Sequence, residues 1–373
     1  MSRLSKLTLV IATINRQRYV LRNMRFWSGS EVTVHVLDGS EQAIPAREMA
    51  ELAANVTYHH LPVPILDRFR KGADLVQTEY AALMGDDEFF VPDALQACIH
   101  ELEADATLVS CMGRSLGFRC RAGHILGWPA YAEMADYSVL QDDPISRMIY
   151  HMNPYTCSII YSVVRTPVWK QAMGILSKRQ FSVFALGENQ FELSVCYRGK
   201  SKVIPHLMWL RSAENDGIRD EHDVVLFREW WIDPKKANER EEFLTLMASA
   251  LALGDSDRLE SVRQGVKAAC DEYFRFEVMD GYRRGLRAVV AKIGNLLPPA
   301  VKAAVKAPVV RLLVALPGGD AYARLRDKPL LQAAKDLEAS NVHVDFDQLS
   351  HISMLIEQFH ATPFDQAELK FAR

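Results

Sequence analysis

Four short apolar runs, at residues 7–12 (LTLVIA), 32–37 (VTVHVL), 56–60 (VTYHH) and 80–84 (YAALM), punctuate the first quarter of the chain. Each is too short for a helix and rich enough in β-branched or aromatic residues for a strand. The segments between them carry helical spacing. Tyr19, Val20, Met24 and Trp27 recur among Arg18, Arg22 and Arg25, and residues 46–54 and 65–75 read as two further helices. Strands alternating with helices at this interval predict an α/β fold with a mainly parallel, doubly wound sheet.

Three of the runs end in polar residues, and a parallel sheet places those ends along one edge. The first run leads to Thr13, Asn15 and Arg16, the second to Asp38, and the fourth to Asp86, Asp87 and Glu88. Ligands in open α/β sheets bind beyond the carboxyl ends of the strands. Three adjacent carboxylates repel one another, so a fold that holds them supplies water, cations or a divalent metal; their hard oxygens suit magnesium or manganese shared with a substrate's phosphates. A solvated acidic turn leading to a helix capped near Asp93, and a simple Asp38-Gly39 turn, remain open alternatives. Neither GxGxxG nor GxxxxGK[ST] occurs, which argues against dinucleotide-dependent dehydrogenases and P-loop enzymes.

Further along, residues 107–112 read as a strand. Aromatic residues Phe118, Trp128 and Tyr131 and carboxylates Asp136, Asp142 and Asp143 follow, and residues 144–151 read as a helix. Residues 155–165 are β-rich and predict another strand. Glu188 and Glu192 stand one helical turn apart in LGENQFEL, and His206, Trp209 and Arg211 follow a strand at 203–205. A guanidinium matches phosphate geometry, which makes Arg211 a candidate phosphate contact. A Glu at a helix start is also favourable without catalysis.

The order LTLVIATINR, VHVLDGS, YAALMGDDEFFVPDAL, then GENQFEL and a basic RGKSK, resembles the nucleotide-sugar-binding half of GT-A glycosyltransferases, similar to family 2 enzymes, over roughly residues 5–210. The resemblance implies a GT-A catalytic domain over residues 1–212, with Thr13, Asn15 and Arg16 at the nucleotide and Asp38 at the base. It further implies Mn2+ or Mg2+ held against the diphosphate by Asp86, Asp87 and Glu88, with His206 completing the metal site. The catalytic base would be Glu188 or Glu192. The family pattern has Asp where this chain has Asn189, which cannot act as a carboxylate base. The implied reaction is transfer from a nucleotide sugar, a UDP-sugar foremost, to a glycan or lipid-linked acceptor, with inversion. A sugar-phosphate nucleotidyltransferase and a catalytically inactive relative remain as rivals.

Residues 213–373 read as a helical extension, not a second sheet. Within it, residues 281–319 carry seven Lys or Arg and no acidic residue, interleaved with aliphatic side chains. That suits either in-plane contact with an anionic membrane surface or a helical hairpin packed on the catalytic domain. A net charge of -3 argues against wholesale nucleic-acid binding. Six scattered cysteines without a CxxC, no secretory signal and no membrane-spanning run predict a cytoplasmic protein, peripheral on the inner face of the cytoplasmic membrane if the basic segment binds lipid.

Overall fold

The computed structural model describes residues 2–183, 185–215, 225–296 and 327–362. Its strands are β1 Leu7–Thr13, β2 Thr33–Asp38, β3 Val56–His60, β4 Tyr80–Met84, β5 Phe89–Phe90, β6 Leu108–Arg121, β7 His124–Ala130, β8 Ser138–Val139, β9 Val163–Arg165, β10 Lys200–Ser212 and β11 Lys328–Pro329. The helices are α1 Gln17–Trp27, α2 Ala46–Met49, α3 Ile65–Leu75, α4 Pro92–Ala104, α5 Pro144–Met152, α6 Thr166–Leu176, α7 Ala185–Arg198, α8 Phe227–Ile232, α9 Ala237–Ala252, α10 Ser256–Leu296, α11 Leu330–Glu338 and α12 Phe346–Ala361.

The sheet is mixed and mainly parallel. β3, β2, β1 and β4 run parallel, antiparallel β9 bridges β4 to β6, and β6 pairs in parallel with β10. Alternate side chains serve opposite faces, as strand geometry requires. Leu7, Leu9 and Ile11 enter one core, whereas Val10 enters the other; Tyr80, Ala82 and Met84 oppose Ala81 and Leu83 in the same way. Burial on both faces is why these strands read as unbroken apolar runs. The register pairs Thr13 with Asp38 and Ile11 with Met84, so the polar strand ends are level with one another.

Beyond β4 the structure departs from the expected pattern in two places. The strand expected at 107–112 continues to Arg121 and turns back into β7 through Ala122 and Gly123. Both turn residues have positive φ, 51° and 75°, the conformation a two-residue hairpin loop needs. Of the β-rich stretch 155–165, only Val163–Arg165 is a strand. Preceding amides there bond to a carboxylate instead of a neighbouring strand: Ile159 and Ile160 donate to Glu192 Oε1 at 3.2 and 3.1 Å.

The helices after residue 213 are divided between the two cores. α8, α9 and the first half of α10 pack with α5, α6 and α7 on one face, while α11 and α12 join α1 and α4 on the other. β11 adds an antiparallel edge to β7, so the region builds no sheet of its own among the described residues. The basic segment 281–319 lies largely outside the residues whose side chains are described; α10 carries the backbone as far as Leu296. Among the described residues no helix is long and apolar enough to cross a membrane.

Candidate active site

At the end of β1, the Thr13 hydroxyl donates to Asp86 Oδ2 at 2.7 Å. Arg16 pairs with Oδ1 of the same carboxylate at 3.5 Å and stays partly open to solvent. Between them Asn15 adopts φ 55°, and its amide donates to Ser40 Oγ at 2.8 Å, locking the β1 loop to the β2 loop. Asp38 ends β2 level with Thr13. It is fully buried, and its carboxylate accepts from the Ser40 amide at 2.8 Å and from Gln17 Nε2 and the Tyr58 hydroxyl at 2.7 Å each. These three donors fix the carboxylate between the β1 and β2 loops, with Oδ1 taking one bond and Oδ2 two.

Sequence reasoning missed Arg68, which reads as an ordinary polar position in α3. Its guanidinium is buried, donates to the backbone carbonyls of Thr13 at 2.6 Å and Leu37 at 3.3 Å, and so ties the ends of β1 and β2 together. Gly39 makes this possible, since a Cβ there would lie 2.5 Å from the guanidinium carbon. Arg22, expected on the polar face of α1, is likewise buried. It donates to the Asp87 carbonyl and to Glu214 Oε2, both at 2.8 Å, with Asn23 holding the Asp86 carbonyl at 2.6 Å. Glu214 in turn meets His360 in the last turn of α12. The far end of the chain therefore braces the acidic loop.

All three carboxylates of residues 86–88 are nearly buried, which makes them unlike a solvated turn. Burial, then repulsion from Asp87, raises the Asp86 carboxyl above its ordinary range against the pull of Thr13 and Arg16. The same two causes push Glu88 up to about 8, opposed by the Trp209 indole and the Arg211 charge. Asp87 Oδ2 accepts from Asn215 Nδ2 at 2.7 Å. Full ionisation of such a set would crowd negative charge that a cation would relieve.

Whether a divalent metal fits can be judged from the donors. No group of three metal-capable side chains with mutually close ligand atoms includes residues 86–88, among the described residues. The three therefore do not form a closed protein cage. One or two carboxylates completed by substrate phosphates and water is the usual arrangement for Mg2+, and Asp86 with Asp87 suits it. His206 is not part of it: its metal-capable neighbours are Asp93 and His343, which corrects the expectation that it completes the acidic site.

The second acidic cluster lies at the start of α7. Glu188 Oε1 accepts from the Tyr155 hydroxyl at 2.6 Å, and the Cys157 thiol bonds to the same carboxylate. Glu188 is half-buried, accessible enough to take a proton. Glu192 is not. It is fully buried, with Oε1 on the two amides of residues 159 and 160 and Oε2 2.8 Å from His151 Nε2. His151 continues to the Tyr137 hydroxyl, so Glu192 anchors the 153–162 turn, a structural task that excludes it as the base. Asn189 is also buried.

A stack of aromatic rings is bonded to Glu88 and lies within electrostatic reach of Glu188. The Trp209 indole donates to Glu88 Oε2 and lies between Tyr131 and Tyr161, with centroids 5.4 and 4.6 Å away and near-parallel planes. Tyr131 sits at φ 49°, a backbone region rare for an aromatic residue and common at functional sites. Arg211 lies 5.3 Å over the Tyr131 ring. Trp209 and Arg211 alternate on β10 and so project to one side of it. Tyr155, Cys157 and Tyr161 had no local signal, because the turn that presents them is fixed by Glu192 from another element.

No family model matches the chain, and no curated protein matches it. Solved structures that overlap it include S. aureus TarS 1-349, at 12% identity and TM-score 0.42, and its complex with UDP-GlcNAc, at 15% and 0.45. The complex of the same protein with UDP overlaps at 14% and 0.40. Each covers 75% of this chain and 92% of the other. At this depth of overlap, function rests on the chain's own residues.

Proposed function

We propose that the protein is a glycosyltransferase that moves a sugar from a nucleotide-sugar donor to a hydroxyl of a glycan or lipid-linked acceptor. The observation that carries the reading is two differently built acidic groups, residues 86–88 and Glu188, within electrostatic reach of one stack of aromatic rings, with Arg16 on Asp86 and Arg211 over Tyr131. A UDP-sugar is the donor of first choice, as the family resemblance of the strand-end motifs implies.

In this reading Arg16 and Arg211 take the diphosphate, and Tyr131 and Tyr161 offer ring surface to sugar C–H faces. A divalent cation held by Asp86 and Asp87 would supply neutralisation of the charge that develops on the leaving diphosphate. Glu188 accepts the proton of the acceptor hydroxyl as its oxygen bonds to the anomeric carbon and the bond from that carbon to the diphosphate oxygen breaks. Attack opposite the leaving group gives inversion. Residues 1–212 form the catalytic part, and the basic composition of 281–319 favours an acceptor at an anionic lipid surface.

Asn189, buried where the related pattern has Asp, favours a second reading in which the nucleotide sugar binds without turnover. Calorimetric titration of UDP, GDP and CMP, each with and without Mn2+, tests both on the full chain and on Asp87→Ala. Metal-dependent binding of one nucleotide, weakened by the substitution, supports the site; no binding under any condition overturns it. Transfer or slow donor hydrolysis, abolished by Glu188→Gln, then separates an enzyme from a binding protein.

A further inference from the structure

A group of three metal-capable side chains stands where three distant parts of the chain meet. Asp93 is the second residue of α4, His206 lies in the middle of β10, and His343 belongs to the link between α11 and α12. Ligand atoms of the three lie within 4.8 Å of one another. The backbone holds them there. His343 donates its amide to the Pro205 carbonyl at 2.8 Å and accepts from the Leu207 amide at 2.9 Å, an isolated parallel bridge that sets the two imidazoles 5.0 Å apart.

Polar accounting favours a ligand. His206 Nδ1 is buried with no hydrogen-bond partner among the described residues, a state that buried polar atoms rarely keep. Asp93 Oδ2 lies 3.2 Å from His343 Nε2, and the Gln348 side chain fixes the start of α4 by accepting from the Asp93 amide at 3.1 Å. Asp93 and His343 are partly open to solvent, which leaves room for a water ligand and a path for entry.

We propose that Asp93, His206 and His343 bind a zinc-class divalent cation that clamps the α11–α12 link to β10 and α4. Two imidazoles and one carboxylate form a nitrogen-rich, borderline-soft donor set suited to zinc, whereas the all-oxygen residues 86–88 suit magnesium or manganese. The protein then has two cation sites that differ in chemistry. This one stands whether or not the nucleotide reading is correct.

The test is calorimetric titration of Zn2+ into the full chain, freed of any polyhistidine tag and held in excess Mg2+ to occupy the acidic loop. One equivalent is expected, together with a zinc-dependent rise in Tm. Loss of a group that merely orients a ligand weakens metal binding about 10–100-fold, so His343→Ala, which removes a ligand, is expected to weaken it by at least about 100-fold. The His343 side chain is more than half exposed, so that variant should fold, and loss of the Tm response to zinc is its second readout. Asp93→Asn keeps the shape and is expected to weaken binding at least about 10-fold. Failure of the unmodified chain to take up zinc, or equal uptake by both variants, overturns the proposal.

Discussion

Trp209 donates its indole N–H to Glu88 Oε2 at 2.8 Å from within a stack of three aromatic rings. The stack fixes the indole and the indole fixes the carboxylate, so the position of Glu88 depends on β10 as much as on the loop that carries it. The bond also counters the burial that pushes Glu88 up.

Trp209→Phe keeps most of the stack and deletes the donor. Leaving a buried carboxyl without its partner costs about 1–3 kcal/mol. The Glu88 pKa should rise further, because a hydrogen bond to the charged form has been lost. Urea denaturation gives the first quantity, and the pH dependence of nucleotide binding gives the second as a shift to higher pH.

Glu88 makes stability depend on pH in the opposite sense to a salt-bridged acid. Its folded value, about 8, lies above the ordinary glutamate value of 4.5, so between these limits the folded state holds a proton that the unfolded state has released. The stabilising contribution is complete below pH 4.5 and is lost as pH rises through 8; the loss is on the order of a few kcal/mol. Glu88→Gln should flatten this fall, and denaturation midpoints from about pH 5 to 9 for both proteins measure it.

Glu188 and Glu192 should separate cleanly. Removing a general base lowers turnover by about 10²–10⁴-fold. Glu188→Gln is expected to do this with Tm and UDP affinity nearly unchanged. Glu192→Gln should instead unfold the protein more readily by roughly 2–4 kcal/mol, since the 159 and 160 amides and His151 lose a charged acceptor. Parallel Tm and initial-rate measurements distinguish the two; equal effects on both would contradict this division of roles.

Arg68→Met removes the tie between Thr13 and Leu37 while filling similar space. Two buried carbonyls lose a charged donor, worth about 2–4 kcal/mol of stability. Nucleotide affinity should fall with it because the Thr13 and Asp38 loops loosen. Chemical denaturation and calorimetry on one preparation check both effects.

The first half of the sheet is readable in the sequence because β1 and β4 are buried on both faces and each of the four strands is a short run bounded by polar or turn residues. The runs at 56–60 and 80–84 and the helix at 65–75 coincide with β3, β4 and α3. The acidic loop and Glu188 are legible for the same reason, since charge at the end of an apolar run stands out. Arg22 and Arg68 are not, because a buried arginine satisfied by backbone carbonyls looks in sequence like one on a solvated helix face. Neither is the 153–162 turn, whose β-branched and aromatic content suggests a strand until Glu192 takes its amides. His206 stands out in the sequence, yet its partners Asp93 and His343 reach it only through tertiary contact.

The brace formed by His360, Glu214, Arg22 and the Asp87 carbonyl also bears on how the protein comes into being. A ribosome adds 146 residues after Glu214 before that carboxylate gains its imidazole, and α1 must wait for α12 to cover Phe26 and Tyr19. A nascent chain can assemble β1 to β4 early but cannot finish the acidic loop. A premature stop codon just ahead of α12 would therefore strike at residues 86–88, made long before it, as surely as a substitution within them.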